Sequence, residues 1–237
     1  DRAAILALFD EQMRRNVVDE DGIFAGDGWS AVLWPPADPE RTVGRLRALP
    51  GHVEWKLYGH DPPELAATLR ASGFEPGDEE TLLCADAAAV ASPEEEVAVA
   101  DTPELVDAFC ELAALVFGRD APGARRELLR ALDEPEPSML ATVVLERGAA
   151  VSGGRVDLPR DADFAGLFGG VTLPGHRGRG LYRATVARRA ELARERGYRY
   201  LYVDALPTSR PILERLGFVA LTTTTPFSLP RRDGANG

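Results

Sequence analysis

The feature that most constrains this chain is a glycine-arginine run, Gly175-His176-Arg177-Gly178-Arg179-Gly180, set between a strand-like stretch and a helix-like one. Upstream, residues 167–173 are apolar; Gly169 and Gly170 disfavour a helix there, while Val171 and Thr172 favour a strand, and Pro174 ends it. Downstream, the spacing predicts a helix over 181–196. Tyr182, Val186, Ala190 and Ala193 share one face, Arg188, Arg194 and Glu195 lie mostly off it, and Gly197 is the expected stop. Strand, glycine loop and helix in this order point main-chain N–H groups at an anion. Gly178 and Gly180 let a phosphate approach the backbone closely. The first helical N–H groups lack intrahelical partners, the helix dipole is positive there, and Arg177 and Arg179 add charge-assisted hydrogen bonds. A diphosphate suits such a cradle. Neither a Gly-Lys-Ser/Thr ending nor G-x-G-x-x-G is present, so the loop is not of the common nucleotide-binding types.

The stretch Val171-Thr172-Leu173-Pro174-Gly175-His176-Arg177-Gly178-Arg179-Gly180-Leu181 closely resembles the acyl-CoA-binding motif of the GNAT (GCN5-related) N-acetyltransferases, in which Arg/Gln-x-x-Gly-x-Gly/Ala follows the fourth strand. The resemblance continues through 200–205, as the fifth strand, to the family's frequent Leu-Gly-Phe ending at Leu216, Gly217 and Phe218. It implies an α/β (α+β) mixed sheet of the GNAT acyl-CoA N-acyltransferase fold. It also implies acetyl-CoA as acyl donor and transfer, by direct attack, to a primary amine of a small molecule or peptide. Carried over residue by residue, the donor-binding set is Val171, Thr172, Leu173, Arg177, Gly178, Arg179, Gly180, Leu181, Tyr182 and Ser209. The acetyl carbonyl is then polarised by the N–H groups of Val171 and Leu173, opened to the ligand where Gly169 and Gly170 bulge the strand. Two positions depart from the pattern. The last Gly/Ala of the motif is Tyr182, and Leu213 stands where many relatives carry the tyrosine that protonates the CoA thiolate.

Candidate proton carriers come from the fifth strand and the start of the helix after it. Alternation places Tyr200, Tyr202 and Asp204 on one face. Asp204 is either the acceptor of the amine proton, directly or through water, or a solvated strand-end carboxylate. Ser209 either caps the next helix or touches CoA and offers the thiolate a proton, a role for which Tyr202 also stands. His60-Asp61 in the first half is a candidate acceptor-binding pair. An acyl-CoA-binding module with little or no turnover is the alternative function, because the usual acid is absent.

Further elements are set by the pattern of apolar and turn residues. Helices are expected over 3–15, 39–49, 63–72, 124–132 and from Thr102 as N-cap with Pro103 at N1, strands over 29–34, 53–58, 81–84 and 97–100, and a hairpin of 139–146 with 149–156 around Arg147-Gly148. Residues 19–28 are polar and turn-rich. Sliding residues 57–74 onto 201–218 matches Leu57, Tyr58, Pro63, Leu69, Gly73 and Phe74 with Leu201, Tyr202, Pro207, Leu213, Gly217 and Phe218. Nothing between Pro35 and Arg45 resembles Arg-Gly-Arg-Gly. Two tandem GNAT-like domains are therefore expected: a degenerate copy at 1–90 without the pyrophosphate loop, and an acetyl-CoA-binding domain at 95–237. The Ala/Ser/Pro/acid segment 86–95 reads as their linker.

Composition excludes other classes. Lys and Arg total 27 against 38 Asp and Glu, a net charge of −11, which argues against nucleic acid and favours a cationic acceptor. Cys84 and Cys110 are the only cysteines, so neither a disulfide framework nor a metal site is expected. No membrane span or leader is visible, and a cytoplasmic monomer or homodimer is expected.

Overall fold

The computed structural model describes residues 1–26, 29–93, 95–118 and 122–230. In chain order its elements are α1 (Arg2–Phe9), continued by a π-helical turn (Asp10–Arg15), β1 (Ile23–Ala25), β2 (Trp29–Val32), α2 (Pro39–Ala48), β3 (His52–Tyr58), α3 (Leu65–Ala71), β4 (Glu75–Pro76) and β5 (Glu80–Asp86). Then come β6 (Ala98–Val99), α4 (Pro103–Phe117), α5 (Pro122–Leu132), β7 (Met139–Glu146), β8 (Ala149–Asp157) and β9 (Phe164–Thr172). After a 3-10 turn at Pro174–His176 come α6 (Leu181–Glu195), β10 (Tyr200–Ala205), α7 (Arg210–Arg215) and β11 (Val219–Ser228). The chain divides into two compact units: Asp1–Leu82 with Ala205–Pro207 and Ala220–Gly237, and Leu83–Asp204 with Thr208–Val219.

In the first unit β2 runs parallel to β3 and antiparallel to β1, and β11 pairs antiparallel with β3 and β4. The threonine-rich β11, which hydrophobic patterning did not reveal, thus pairs its residues 224–228 within the first unit's sheet. Helices α2 and α3 bury Val43, Leu46, Leu65 and Leu69 against Trp55 and Phe227. Strand β1 forms within the turn-rich segment 19–28, of which residues 27 and 28 lie outside the described residues.

In the second unit the order is β10-β9-β8-β7-β6, with β10 parallel to β9 and the remaining pairs antiparallel, a mixed sheet. The hairpin turn is tight because Arg147 and Gly148 both take positive φ, 52° and 83°, as a two-residue connection between twisted strands requires. Helix α4 starts as its sequence demands, Thr102 accepting from the Leu105 N–H and Pro103 in the first turn. Its Val106, Phe109 and Leu112 pack on Val143 and Val171 with Leu128 of α5. Helix α6 sits against Val144 and Val151 through Leu181 and Ala184. The segment expected as a linker is instead pinned. Ala87 and Val90 are buried, and Arg194 donates to both their carbonyls, small side chains letting the chain lie close to α6.

The repeated Leu…Gly-Phe pattern has a local cause. At the end of α7 the N–H of Phe218 donates to the Leu213 carbonyl and that of Gly217 to Glu214; at the end of α3, Phe74 and Gly73 do the same to Leu69 and Arg70. Both are Schellman closures, with a left-handed glycine and a buried Leu and Phe on either side of it.

Gly153 of β8 shows how little space the α4 side of the sheet leaves. A Cβ there would lie 2.8 Å from the Thr142 carbonyl oxygen and 3.0 Å from the Phe109 ring. Gly153→Ala should cost about 1–3 kcal/mol of stability through overpacking, read as a lowered urea midpoint at unchanged m-value.

Candidate active site

The glycine-arginine loop folds as its residues require. After the 3-10 turn, Gly178 and Gly180 adopt φ of 77° and 86°, and Gly180 is the left-handed N-cap of α6. No side chain caps α6, so its first N–H groups have no capping partner. Leu181 is buried in the core, which leaves only its main chain to the cradle. Arg177 is exposed and donates from Nε to the Thr172 carbonyl, 3.2 Å. Arg179 lies 2.6 Å from Glu146 Oε1, and His176 Nε2 lies 3.3 Å from its other oxygen. The hydrogen bond from Arg179 holds the Glu146 carboxyl well below its usual range. This glutamate, at the end of β7, was not legible in the sequence, since only the fold brings it to the loop.

Before the loop, β9 is bulged. Arg155 pairs with Phe168 and Gly153 with Val171, so Gly169 and Gly170 stand together opposite Gly154. Gly169 takes a φ of 58°, a left-handed conformation that fits glycine. Tyr182, the residue that departs from the family pattern, lies over the second bulge glycine: a Cβ on Gly170 would approach its Cε2 to 2.7 Å. A large residue at 182 and none at 170 thus exchange volume across the helix–strand contact. Burial raises the Tyr182 pKa, so its hydroxyl stays protonated at neutral pH.

Of the two N–H groups expected to polarise the acetyl carbonyl, Leu173's already donates to the Val151 carbonyl at 2.9 Å. That assignment is corrected: a ladder bond holds it, and the bulge is the part of β9 where ladder pairing lapses. Val171 is buried against α4 and α5, and its carbonyl accepts from Ser152 Oγ, which also contacts Thr172 Oγ1 at 2.8 Å.

On β10, Tyr202 sits opposite Gly166, its ring edge-on to Phe168 at 5.7 Å; Tyr200 stacks on Phe164 at 5.1 Å. Asp204 is half-buried near the end of the strand. Ser209 occupies the N-cap position of α7 without a side-chain capping bond. Leu213 is fully buried in the core and supplies no proton. His60 and Asp61 are not free for an acceptor. Arg14, buried and 3.7 Å from the Tyr58 ring centroid, binds Asp61 at 2.6 Å and Asp10 at 2.7 Å, and His60 Nε2 contacts Asp10 at 2.9 Å. The π-helical turn carries Asp10 and Arg14 into this cluster.

Residues 106–218 match the profile of the acetyltransferase (GNAT) family. The matched segment takes in β7 to β10, the bulge and the glycine-arginine loop. Solved structures share the fold. A GCN5-related N-acetyltransferase from Kribbella flavida is 21% identical with a TM-score of 0.68, covering 99% of this chain and 96% of its own. One from Sphaerobacter thermophilus is 16% identical with a TM-score of 0.56, over 84% and 68%. A tandem GNAT protein from the clavulanic acid biosynthesis pathway is 18% identical with a TM-score of 0.55, over 89% and 78%. A search of curated proteins finds no significant match.

A diphosphate held on this loop would compete with Glu146 for Arg179. Because its carboxyl is held down, it stays ionised throughout the neutral range, and only substitution removes it. The pair is exposed and screened by solvent, so Glu146→Gln should tighten CoA binding only modestly, by up to about fivefold, measured by calorimetric titration.

Proposed function

We propose that the second unit transfers an acetyl group from acetyl-CoA to a primary amine of a small molecule or peptide. The observation that carries this reading is the continuous bulge, glycine loop and uncapped helix from Gly169 to Leu181. The diphosphate lies on the loop and first turn of α6, with Arg177 and Arg179 beside it. The thioester carbonyl lies along the bulge, where main-chain N–H groups take up the negative charge that develops on its oxygen. The neutral amine attacks the carbonyl carbon. The C–N bond forms, the C–S bond breaks, and the thiolate leaves and is protonated. Asp204 receives the amine proton, directly or through water, and Tyr202 or Ser209 supplies the thiolate proton. The net charge of −11 favours a cationic acceptor.

We further propose that residues 1–90 derive from a degenerate copy of the same fold that binds no CoA. The repeated strand–helix–Gly-Phe unit and the likeness to a tandem GNAT protein support this. The Schellman geometry shared by both units explains part of the repeat without common descent. No helix among the described residues is long and apolar enough to cross a membrane, and the two unpaired cysteines suit a cytoplasmic enzyme.

Acetyl-CoA should raise the melting temperature. Arg177→Glu and Gly178→Glu should each weaken CoA binding roughly 10- to 100-fold, by losing a charge-assisted bond or blocking the backbone; unchanged affinity in both would dismiss the loop assignment. Asp204→Asn should slow single-turnover acetyl transfer about 10²-fold or more at nearly constant CoA affinity. The buried Leu213 favours a second reading, a CoA-binding module without turnover. Tight CoA binding with no acetylation across a panel of amines would select it.

A further inference from the structure

Arg189 lies in the sheet-facing stripe of α6, two turns after Tyr182, and is 1% exposed. Among the described residues it has no carboxylate partner. Its Nε donates to the Thr185 carbonyl of its own helix at 2.9 Å. Its Nη1 donates across to the Arg155 carbonyl at 3.1 Å and the Phe168 carbonyl at 3.4 Å. Those two residues are the last ladder pair before the bulge. Nη2 is buried without a hydrogen-bond partner among the described residues. The guanidinium fits only because Gly154, the single residue opposite the bulge, has no side chain: a Cβ there would come within 2.6 Å of Arg189 Cζ.

A buried cation without a counter-charge is costly. Hydrophobic packing of α6 alone would be served by Leu or Met at this position. Burial pushes the Arg189 pKa down to about 10, so the charge persists at neutral pH. What the charge and its fork touch is the root of the bulge.

We infer that Arg189 is a positioning residue for acyl transfer, its guanidinium clamping the Arg155 and Phe168 carbonyls so that the bulged main chain at Gly169–Gly170 is fixed toward the thioester carbonyl. This rests on the acyl-transfer reading. The clamp orients the peptide groups on either side of the bulge, and peptide groups that are already oriented need no reorganisation as the oxyanion forms. The unneutralised charge adds a favourable field at the same place, in an interior where screening is weak.

The test compares the parent with Arg189→Met, Arg189→Lys and Gly154→Ala, the last displacing the guanidinium while keeping its charge. Three quantities are read: amide chemical shifts of Gly169 and Gly170 in the free protein, CoA affinity, and the infrared carbonyl stretch of bound isotope-labelled acetyl-CoA. The expected result for Arg189→Met and Gly154→Ala is displaced glycine amides, CoA affinity within about twofold, a carbonyl stretch returned toward its value in water, and kcat lowered about 10- to 100-fold. Arg189→Lys should restore part of the carbonyl shift. Folded variants with unmoved glycine amides and an unmoved carbonyl stretch would overturn the inference. Failure of all three variants to fold would assign Arg189 to stability alone and also overturn it. A parent that binds no acetyl-CoA would sink the acyl-transfer reading instead, and the free-protein amide shifts would still decide whether Arg189 sets the bulge.

Discussion

Two glycines opposite one, at the junction of β8 and β9, are the constraint on which the second unit turns. An extra residue in one strand breaks the ladder locally and leaves peptide groups without sheet partners. Such groups are tolerated only where something else takes their hydrogen bonds or a ligand does. Gly169 supplies the left-handed φ, Gly170 makes room for Tyr182, and Gly154 makes room for Arg189. Gly169 is thus required by its own backbone angle, and the other two by the α6 side chains that pack over them.

Helix α6 links the two ends of the site. Its uncapped first turn adjoins the glycine-arginine loop and carries Tyr182 against the bulge, and Arg189 two turns on donates to the carbonyls at the bulge's root. On the proposed reading, a rigid helix fixes the spacing between the donor's phosphates and its carbonyl, which is the positional control that acyl transfer needs. The end of α6 is equally defined, since Tyr198 and Gly197 close a Schellman motif onto Ala193 and Arg194. The ion pair of Glu146 with Arg179 ties the loop to the end of β7.

Much of this was legible in the chain. The loop, the helix over 181–196, the hairpin around Arg147-Gly148 and the Thr102-Pro103 helix start are local signals, and each formed where turn and capping chemistry put it. The bulge was expected from Gly169-Gly170, but its partner Gly154 and its post Arg189 were not. Arginine at a stripe position, seven residues after Tyr182, was the available signal. Leu173 was misjudged because ladder pairing depends on register, which alternation alone does not give. His60-Asp61 looked like a site because partners far away in sequence, Arg14 and Asp10, were invisible until the π-helical turn placed them. The 86–95 segment read as a linker by composition, yet long-range bonds from Arg194 bury part of it.

The central claim is that the main chain from the bulge to the first turn of α6 holds the acyl donor. Backbone amide shifts recorded during an acetyl-CoA titration test it most directly. Among the amides of the second unit, the largest shifts should fall in 169–173 and 178–182. Saturating shifts confined to other residues, with those two stretches unmoved, would contradict it.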